Sequence, residues 1–357
     1  MNLVTDWFKR QISDPQLVLL ALLLLGALAG IILLGDMVAP AIAALVIAFL
    51  LDGPASWLRA RGMSNLLAVS VVFVTFVTIS FVAFFTILPP IKNQFTQFFV
   101  LLPTMLEQAQ VAAINLSEAF PGWINETQME SMLAQIGTGL QTEARGFLAS
   151  SPGVIITLIS IVVYVILVPV MAFFFMKDRA LILRWLGAYL PAERSLVKEV
   201  WAEVMQRTGD YARGKVYEIF IVGFSSWALY MVLDLRFAAF LALLTGLSVI
   251  IPYIGAAVIT LPVAFVAYIQ WGTGHEFVVA LVAYLVLQAL DGYVLVPLLF
   301  SEVVKLHPNA IILAILIFGG IWGIWGVFFA IPLATLAHAV TKAWRAHLAA
   351  PPQADKA

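Results

Sequence analysis

The chain has 357 residues, 63% hydrophobic and only 11% charged, with a mean hydropathy of +1.02 and a formal net charge of −1. Soluble domains carry about 25% charged residues, so a soluble globular fold is excluded, and the near-neutral balance offers nucleic acid no basic field. Cysteine is absent, which removes disulfides, thiolate zinc sites and cysteine nucleophiles together.

Lys9 and Arg10 precede a first apolar run, 17–34, in which "ALA" at 27–29 imitates a signal-peptidase site. A cleavable core is about 7–15 residues long; this run is longer and more apolar chain follows, so a retained first helix is expected. The run ends at "GDM", a second (38–51) closes at "DGP", and a third spans Leu66–Leu88. Residues 1–89 therefore read as N-terminal transmembrane helices, the first and third runs near the roughly 20 residues that cross a bilayer. A polar segment, 90–150, contains "AFPGWINET" and is expected outside the cytoplasm. Residues 151–176 form a further crossing, 177–215 a charged cytoplasmic segment, 216–345 a C-terminal transport unit, and 346–357 a short tail. The expectation is an all-α integral membrane protein of about eight transmembrane segments.

Orientation follows Lys and Arg. The 177–215 segment holds eight of them, Lys177, Arg179, Arg184, Arg194, Lys198, Arg207, Arg213 and Lys215. The 90–150 segment holds Lys92 and Arg145 against five glutamates. Lys9, Arg10, Arg59 and Arg61 share the side of 177–215 if each early run crosses once, and Lys342 and Arg345 favour that side too. Both termini are thus expected in the cytoplasm. Within 177–215, Val197, Val200, Trp201, Val204, Thr208 and Tyr211 recur every three or four residues, and Lys198, Glu199, Glu203, Arg207 and Asp210 fill other positions. That pattern predicts an amphipathic helix, packed on its own protein, lying on headgroups, or binding a regulatory partner.

Two long apolar runs contain breaks. In 237–270, "IIPYIGAA" brings Pro252, Tyr253 and Gly255 near the centre, and in 309–340, "FGGIWGIWG" carries Gly319, Gly320, Gly323 and Gly326. One straight helix over either run would approach about 50 Å, well beyond a hydrocarbon core of about 30 Å. Each run is therefore expected to be two shorter helices meeting at a turn, either a spanning pair or a re-entrant hairpin. Irregular backbone at membrane depth survives only inside protein or beside a wet cavity, and broken helices of this kind frame substrate in transporters.

The segment 277–300 carries Asp291 among fifteen Leu, Val or Phe residues. Each of those favours insertion by about 0.3–0.6 kcal/mol near a helix centre, against about 2.5–3.5 kcal/mol for one central Asp. The helix inserts, and the carboxylate must avoid lipid. Tyr284, Gln288 and Asp291 stand at i, i+4 and i+7, one stripe of a helix, with Gly292 beside them and Pro297 below. A protonatable carboxylate beside an amide suits a proton, a cation or a hydroxyl-rich solute; the alternative is an interhelical tie. Other polar residues read as ordinary: Glu218 at the headgroups, Asp36, Asp52 and Asp234 at helix ends, His307 in an interfacial loop. His275 and Glu276 lack the second His that a zinc-protease helix needs, since Val279 occupies that position. No phosphate-cradling loop ends in Gly-Lys-Ser/Thr, so neither an enzyme nor an ATP-driven pump is expected, and no cofactor.

"YARGK" (211–215), "IIPYIGA" (250–256), "LQALDGYVLVPLLFSEVVKLHP" (287–308) and "GGIWGIWGVFFAIPLA" (319–334) together resemble the autoinducer-2 exporter family of bacterial membrane proteins, over essentially 17–345. The resemblance implies a homopentameric inner-membrane transporter with two hairpins of opposite orientation per protomer. Where that family usually has an acidic residue followed by Gly-Asn, this chain reads Asp291-Gly292-Tyr293, so the amide is missing. The expected function is secondary export of a small polar solute such as autoinducer-2. Gln288, Asp291 and Tyr284, with the two hairpin turns, would line its path or carry a coupling proton or sodium ion. A sodium or lithium/proton antiporter and a non-transporting scaffold are the alternatives.

Overall fold

The computed structural model describes residues 15–119, 163–191, 195–252, 254–300 and 307–349, with isolated positions 131, 135, 138 and 139. Its helices are α1 (Pro15–Ala60), α2 (Asn65–Ala119), α3 (Val168–Lys177), α4 (Arg179–Ala188), α5 (Ser195–Val232), α6 (Ala238–Ser248), α7 (Ile254–Trp271), α8 (His275–Leu290), α9 (Val296–Phe300), α10 (Pro308–Phe328) and α11 (Ala330–Ala349). No strand occurs among the described residues. Among the described residues, six helices are long and apolar enough to cross a membrane, and shorter apolar helices cover Gln16–Gly30, Tyr164–Lys177 and Ala238–Ser248. The chain is an all-α membrane protein of roughly eight spans.

Several expected boundaries are helical instead. The "GDM" and "DGP" turns lie inside α1, so Asp36 and Asp52 are not helix termini. The third run continues past Leu88 through Pro89, Pro90 and Pro103 to Ala119. Each of those prolines removes a backbone donor without ending the helix; Pro89 and Pro90 leave the carbonyls of Phe85 and Thr86 without their usual partners. The amphipathic segment is the N-terminal part of α5, which continues without a break to Val232. Lys9, Arg10, Tyr253, most of 120–150 and the stretch 301–306 lie outside the described residues.

The chain divides into two compact units. The first comprises Met1–Thr75, Tyr164–Tyr217 and Val296–Ala357. In it α1 cannot be straight. Gln16 Oε1 accepts from Ser195 Oγ (3.0 Å) and the Leu196 amide (3.1 Å), while the Phe49 ring lies against Gly209. Ser195 and Gly209 are about 21 Å apart along a helix, whereas Gln16 and Phe49 would be about 50 Å apart on a straight one. Contact distances of roughly 10 Å at each end cannot close that gap. The helix must bend between them, and Pro40 is the only proline there. Consequently both halves of α1 reach α5. Leu17 and Leu20 join Leu196, Val197 and Val200, with Leu336, Val340 and Ala343 of α11 packed on the same cluster. The apolar stripe read at 197–211 thus packs on its own protein, except that Trp201 is more than half exposed.

The last hairpin also belongs to this unit. Trp322 and Gly323 depart from helical geometry, Gly323 with φ of 58°. Beyond them Gly326 passes so close to the Phe318 carbonyl that a side chain there would overlap it, and Gly319 faces Val327 in the same way. Residues seven or eight apart on a straight helix would be separated by more than 10 Å. The expected broken helix is therefore a true reversal within 318–327. Its turn residue Trp322 packs against Gly35 of α1.

The second unit comprises Phe76–Val163 and Glu218–Leu295. Its core joins Phe98, Leu102 and Met105 of α2 to Tyr230, Phe237, Phe240, Ile259, Val263 and Tyr284. Phe98 meets Phe237 edge-on with ring centres 5.6 Å apart. Asp234 and Phe237 take left-handed backbone (φ 54° and 59°) to turn α5 into α6. Gln270 clasps that turn, donating to the Asp234 carbonyl (2.7 Å) and accepting from the Arg236 amide (2.8 Å). Helices α5 and α6 cross where Gly223 meets Gly246, each without a side chain to hold them apart. The first hairpin follows: α6 ends at Ser248, residues 249–252 turn, and Gly255 at the start of α7 lies directly against the Ser248 carbonyl.

Two π-helical turns, Val163–Leu167 and Asp291–Leu295, share a local cause. Each ends two residues before a proline, Pro169 and Pro297, in the related strings YVILVP and YVLVP. The proline ring crowds the carbonyl four residues earlier, and widening the preceding turn relieves it.

Candidate functional site

The second unit places the expected stripe where the sequence puts it. On α8, Ala280 and Tyr284 are buried and Gln288 is partly buried, as is Asp291 just after it. Val278, Val282, Leu285, Val286 and Leu290 are exposed and apolar, as a lipid-facing side requires. Tyr284 has no exposed surface at all. Its hydroxyl donates to the Ala256 carbonyl (3.2 Å) and accepts from Gln288 Nε2 (3.0 Å). The Thr260 hydroxyl lies 2.7 Å from the same carbonyl and 3.1 Å from the Tyr284 oxygen, and its single hydrogen can serve only one of them. Gln288 is thereby held by one end. Its amide oxygen is buried and meets no donor among the described residues.

Asp291 opens the π-turn, one helical turn beyond Gln288, with its amide directed to the Gln288 and Leu287 carbonyls. Tyr293, which stands where the resembling family has Asn, is exposed and turned away from the stripe. The polar cluster therefore does not depend on that position.

The two hairpin turns supply the other expected site residues. Pro252 lies in the turn and Gly255 just after it, one residue before the carbonyl of Ala256 that Tyr284 and Thr260 engage. The first hairpin is thus tied directly to the stripe. In the first unit, Gly319, Gly323 and Gly326 make the reversal, whereas Gly320 faces open space.

Sequence reading missed Thr260 and the Ala256 carbonyl. The available signal was a lone threonine in the otherwise apolar "GAAVITLPV". A second buried group also escaped it, in which the Tyr230 hydroxyl lies 3.0 Å from Thr245 Oγ1 and Thr245 donates to the Leu241 carbonyl. Glu218, expected at the headgroups, is only 2% exposed. Lys215, counted among the eight Lys and Arg of 177–215 that set orientation, is 3% exposed and lies 5.2 Å from the Phe300 ring and 6.0 Å from Tyr211.

Replacing Tyr284 by Phe removes the hydroxyl on which Gln288, Thr260 and Ala256 converge. Interhelical hydrogen bonds in membranes contribute about 0.6–2 kcal/mol. The expected result is a small loss of thermal stability in purified Tyr284→Phe and a larger proportional loss of transport, because Gln288 is no longer held.

Discontinuous helices, hairpin reversals and a polar cluster inside an apolar helical unit define a polytopic membrane transport protein. The chain belongs to the AI-2E family of transporters, which it matches over residues 17–346. It is 40% identical to the Escherichia coli (strain K12) protein named "Putative permease PerM" over 344 residues, covering 96% of this chain and 98% of that one. Two Bacillus subtilis (strain 168) proteins, named "Putative transport protein YrrI" and "Putative transport protein YueF", are more distant. YrrI is 24% identical over 82% of each chain, and YueF is 25% identical over 84% of this chain and 80% of its own.

Proposed function

We propose that this protein is a secondary transporter that exports a small polar, hydroxyl-rich solute, with autoinducer-2 as the first candidate. The observation that carries the reading is the Gln288 amide oxygen, buried beside Tyr284 and lacking a donor among the described residues. A solute hydroxyl would supply that donor. The hairpin turn at 249–255 adjoins the same cluster, so a movement of α6 and α7 would act on Gln288 through Ala256, Thr260 and Tyr284. Counterflow of labelled autoinducer-2 into proteoliposomes tests the reading directly, and no counterflow with this or any related polyol would sink it.

A second reading rests on Asp291. Its carboxylate in a widened helical turn suits alternate binding of a proton and sodium, as a monovalent cation/proton antiporter requires. Sodium-dependent pH change in the absence of any organic solute would favour it.

The proposed setting is the bacterial inner membrane, with 177–215 and both termini in the cytoplasm and the protein assembled as a homopentamer. The shared packing of Leu17, Leu196 and Val340 supports one side for the N-terminal end, α5 and the C-terminal helix. Because the chain has no cysteine, single cysteines report without background. Cysteines at positions 2, 185 and 352 should all resist an impermeant maleimide in intact cells and react after permeabilisation. Labelling of any one in intact cells would overturn this topology.

A further inference from the structure

We propose that the first unit holds a built site for an anionic phospholipid, in the cavity of about 670 Å³ bounded by α1, α3, α4 and the N-terminal part of α5. That volume lies within the roughly 300–1,000 Å³ of small-molecule sites. Its inner wall is apolar, with Leu45, Ala48 and Phe49 from α1 and Phe175 and Met176 from α3. Leu45, Ala48 and Phe49 belong to a stretch of α1 long and apolar enough to cross a membrane, and Phe175 and Met176 to a shorter apolar helix, so this end suits an acyl chain.

The other end is cationic. Asp52 accepts from both Arg59 (2.7 Å) and Arg179 (3.2 Å), and Arg213 is held by Asp210 (2.6 Å). Lys177 and Asp178 beside them pair with each other at 3.7 Å. Three guanidinium groups thus face two carboxylates, leaving one positive charge in surplus. A guanidinium has five N–H donors, and Arg179 and Arg213 each give one to these carboxylates, so both retain capacity for a phosphodiester.

A second observation points to lipid. Helix α4 buries none of its residues, yet Leu181, Trp185 and Leu186 on it are exposed, as is Tyr189 just after it. Trp57 on α1 and Trp201 on α5 are exposed too, the former under the Arg61 guanidinium at 3.5 Å from the ring centre. Trp and Tyr collect at the headgroup level of a bilayer. The aromatic residues therefore place the cavity mouth where a lipid phosphate resides, with its apolar wall at acyl depth.

The test is native mass spectrometry of the full-length protein with phosphatidylglycerol, phosphatidylcholine or glycerol 3-phosphate, paired with thermal unfolding. Retention of one phosphatidylglycerol per chain and a raised midpoint are expected, without either effect from the other two. The double variant Arg179→Gln/Arg213→Gln should lose at least tenfold in retention. Ala202→Trp should do the same by filling the cavity from an exposed, unstrained position, which keeps the test valid if the arginine variant folds poorly. Equal retention of phosphatidylcholine, equal protection by glycerol 3-phosphate, or undiminished phosphatidylglycerol on Ala202→Trp would each overturn the proposal. So would occupation of the α4 face by a second copy of the chain, seen as cross-linking through a cysteine at position 185.

Discussion

Asp291→Asn is expected to reduce counterflow at least tenfold, a barrier increase of about 1.4 kcal/mol or more, while the purified protein keeps its fold. The substitution preserves shape, removes the charge and exchanges one acceptor oxygen for an NH2 donor. Helix insertion does not depend on it, because the fifteen Leu, Val and Phe residues of 277–300 already outweigh a carboxylate. Asp291 also stands in a π-turn whose cause is Pro297, two residues after the turn ends, so the local backbone survives the change. The two functional readings separate on a companion experiment. A solute exporter that uses Asp291 as a hydrogen-bond acceptor should recover partly in Asp291→Glu at any sodium concentration. An antiporter should lose sodium-driven proton movement in Asp291→Asn and regain it, with shifted ion preference, in Asp291→Glu. Wild-type flux in Asp291→Asn would reduce the carboxylate to a tie between helices.

The stripe Tyr284–Gln288–Asp291 was legible because helical spacing is local, and a polar residue in lipid must face inward whatever surrounds it. Thr260 was not, because nothing in its own neighbourhood says that α7 packs on α8 at that height. The turns at "GDM" and "DGP" failed for a related reason. Proline and glycine mark weak points in a helix, but whether the chain breaks or merely bends depends on what packs across the weak point. At Pro40 the two arms of α1 are both held by α5 through Gln16 and Phe49, so a bent helix suffices where a loop was expected. The burial of Lys215 and Glu218 was not legible, because charge at the end of an apolar run usually reads as solvent-facing. Here Tyr211, Lys215 and Phe300 pack together, and the amphiphilic lysine stem buries readily against rings.

Gly255→Ala and Gly326→Ala are expected to be the most damaging single methyl additions at the described glycines, each costing about 1–3 kcal/mol or more. At both positions the new Cβ would overlap a backbone carbonyl group, of Ser248 in one hairpin and Phe318 in the other. A side chain can swing aside, but a carbonyl within a helix moves only if the helix does. The two reversals are built alike in this respect: the outgoing arm passes its glycine under the last turn of the incoming arm. Opening either one would expose turn backbone that has no donor or acceptor in hydrocarbon. Gly292→Ala and Gly320→Ala serve as controls, since open space surrounds both. They should be neutral, or stabilising by up to about 1 kcal/mol through helix propensity alone. Thermal unfolding of the four purified variants reads this contrast. If the two hairpin variants match the controls, the arms are loosely apposed and can slide, and the hairpins would then work as hinges. If they unfold early as expected, each hairpin is a rigid pair, and any transport movement must occur around it.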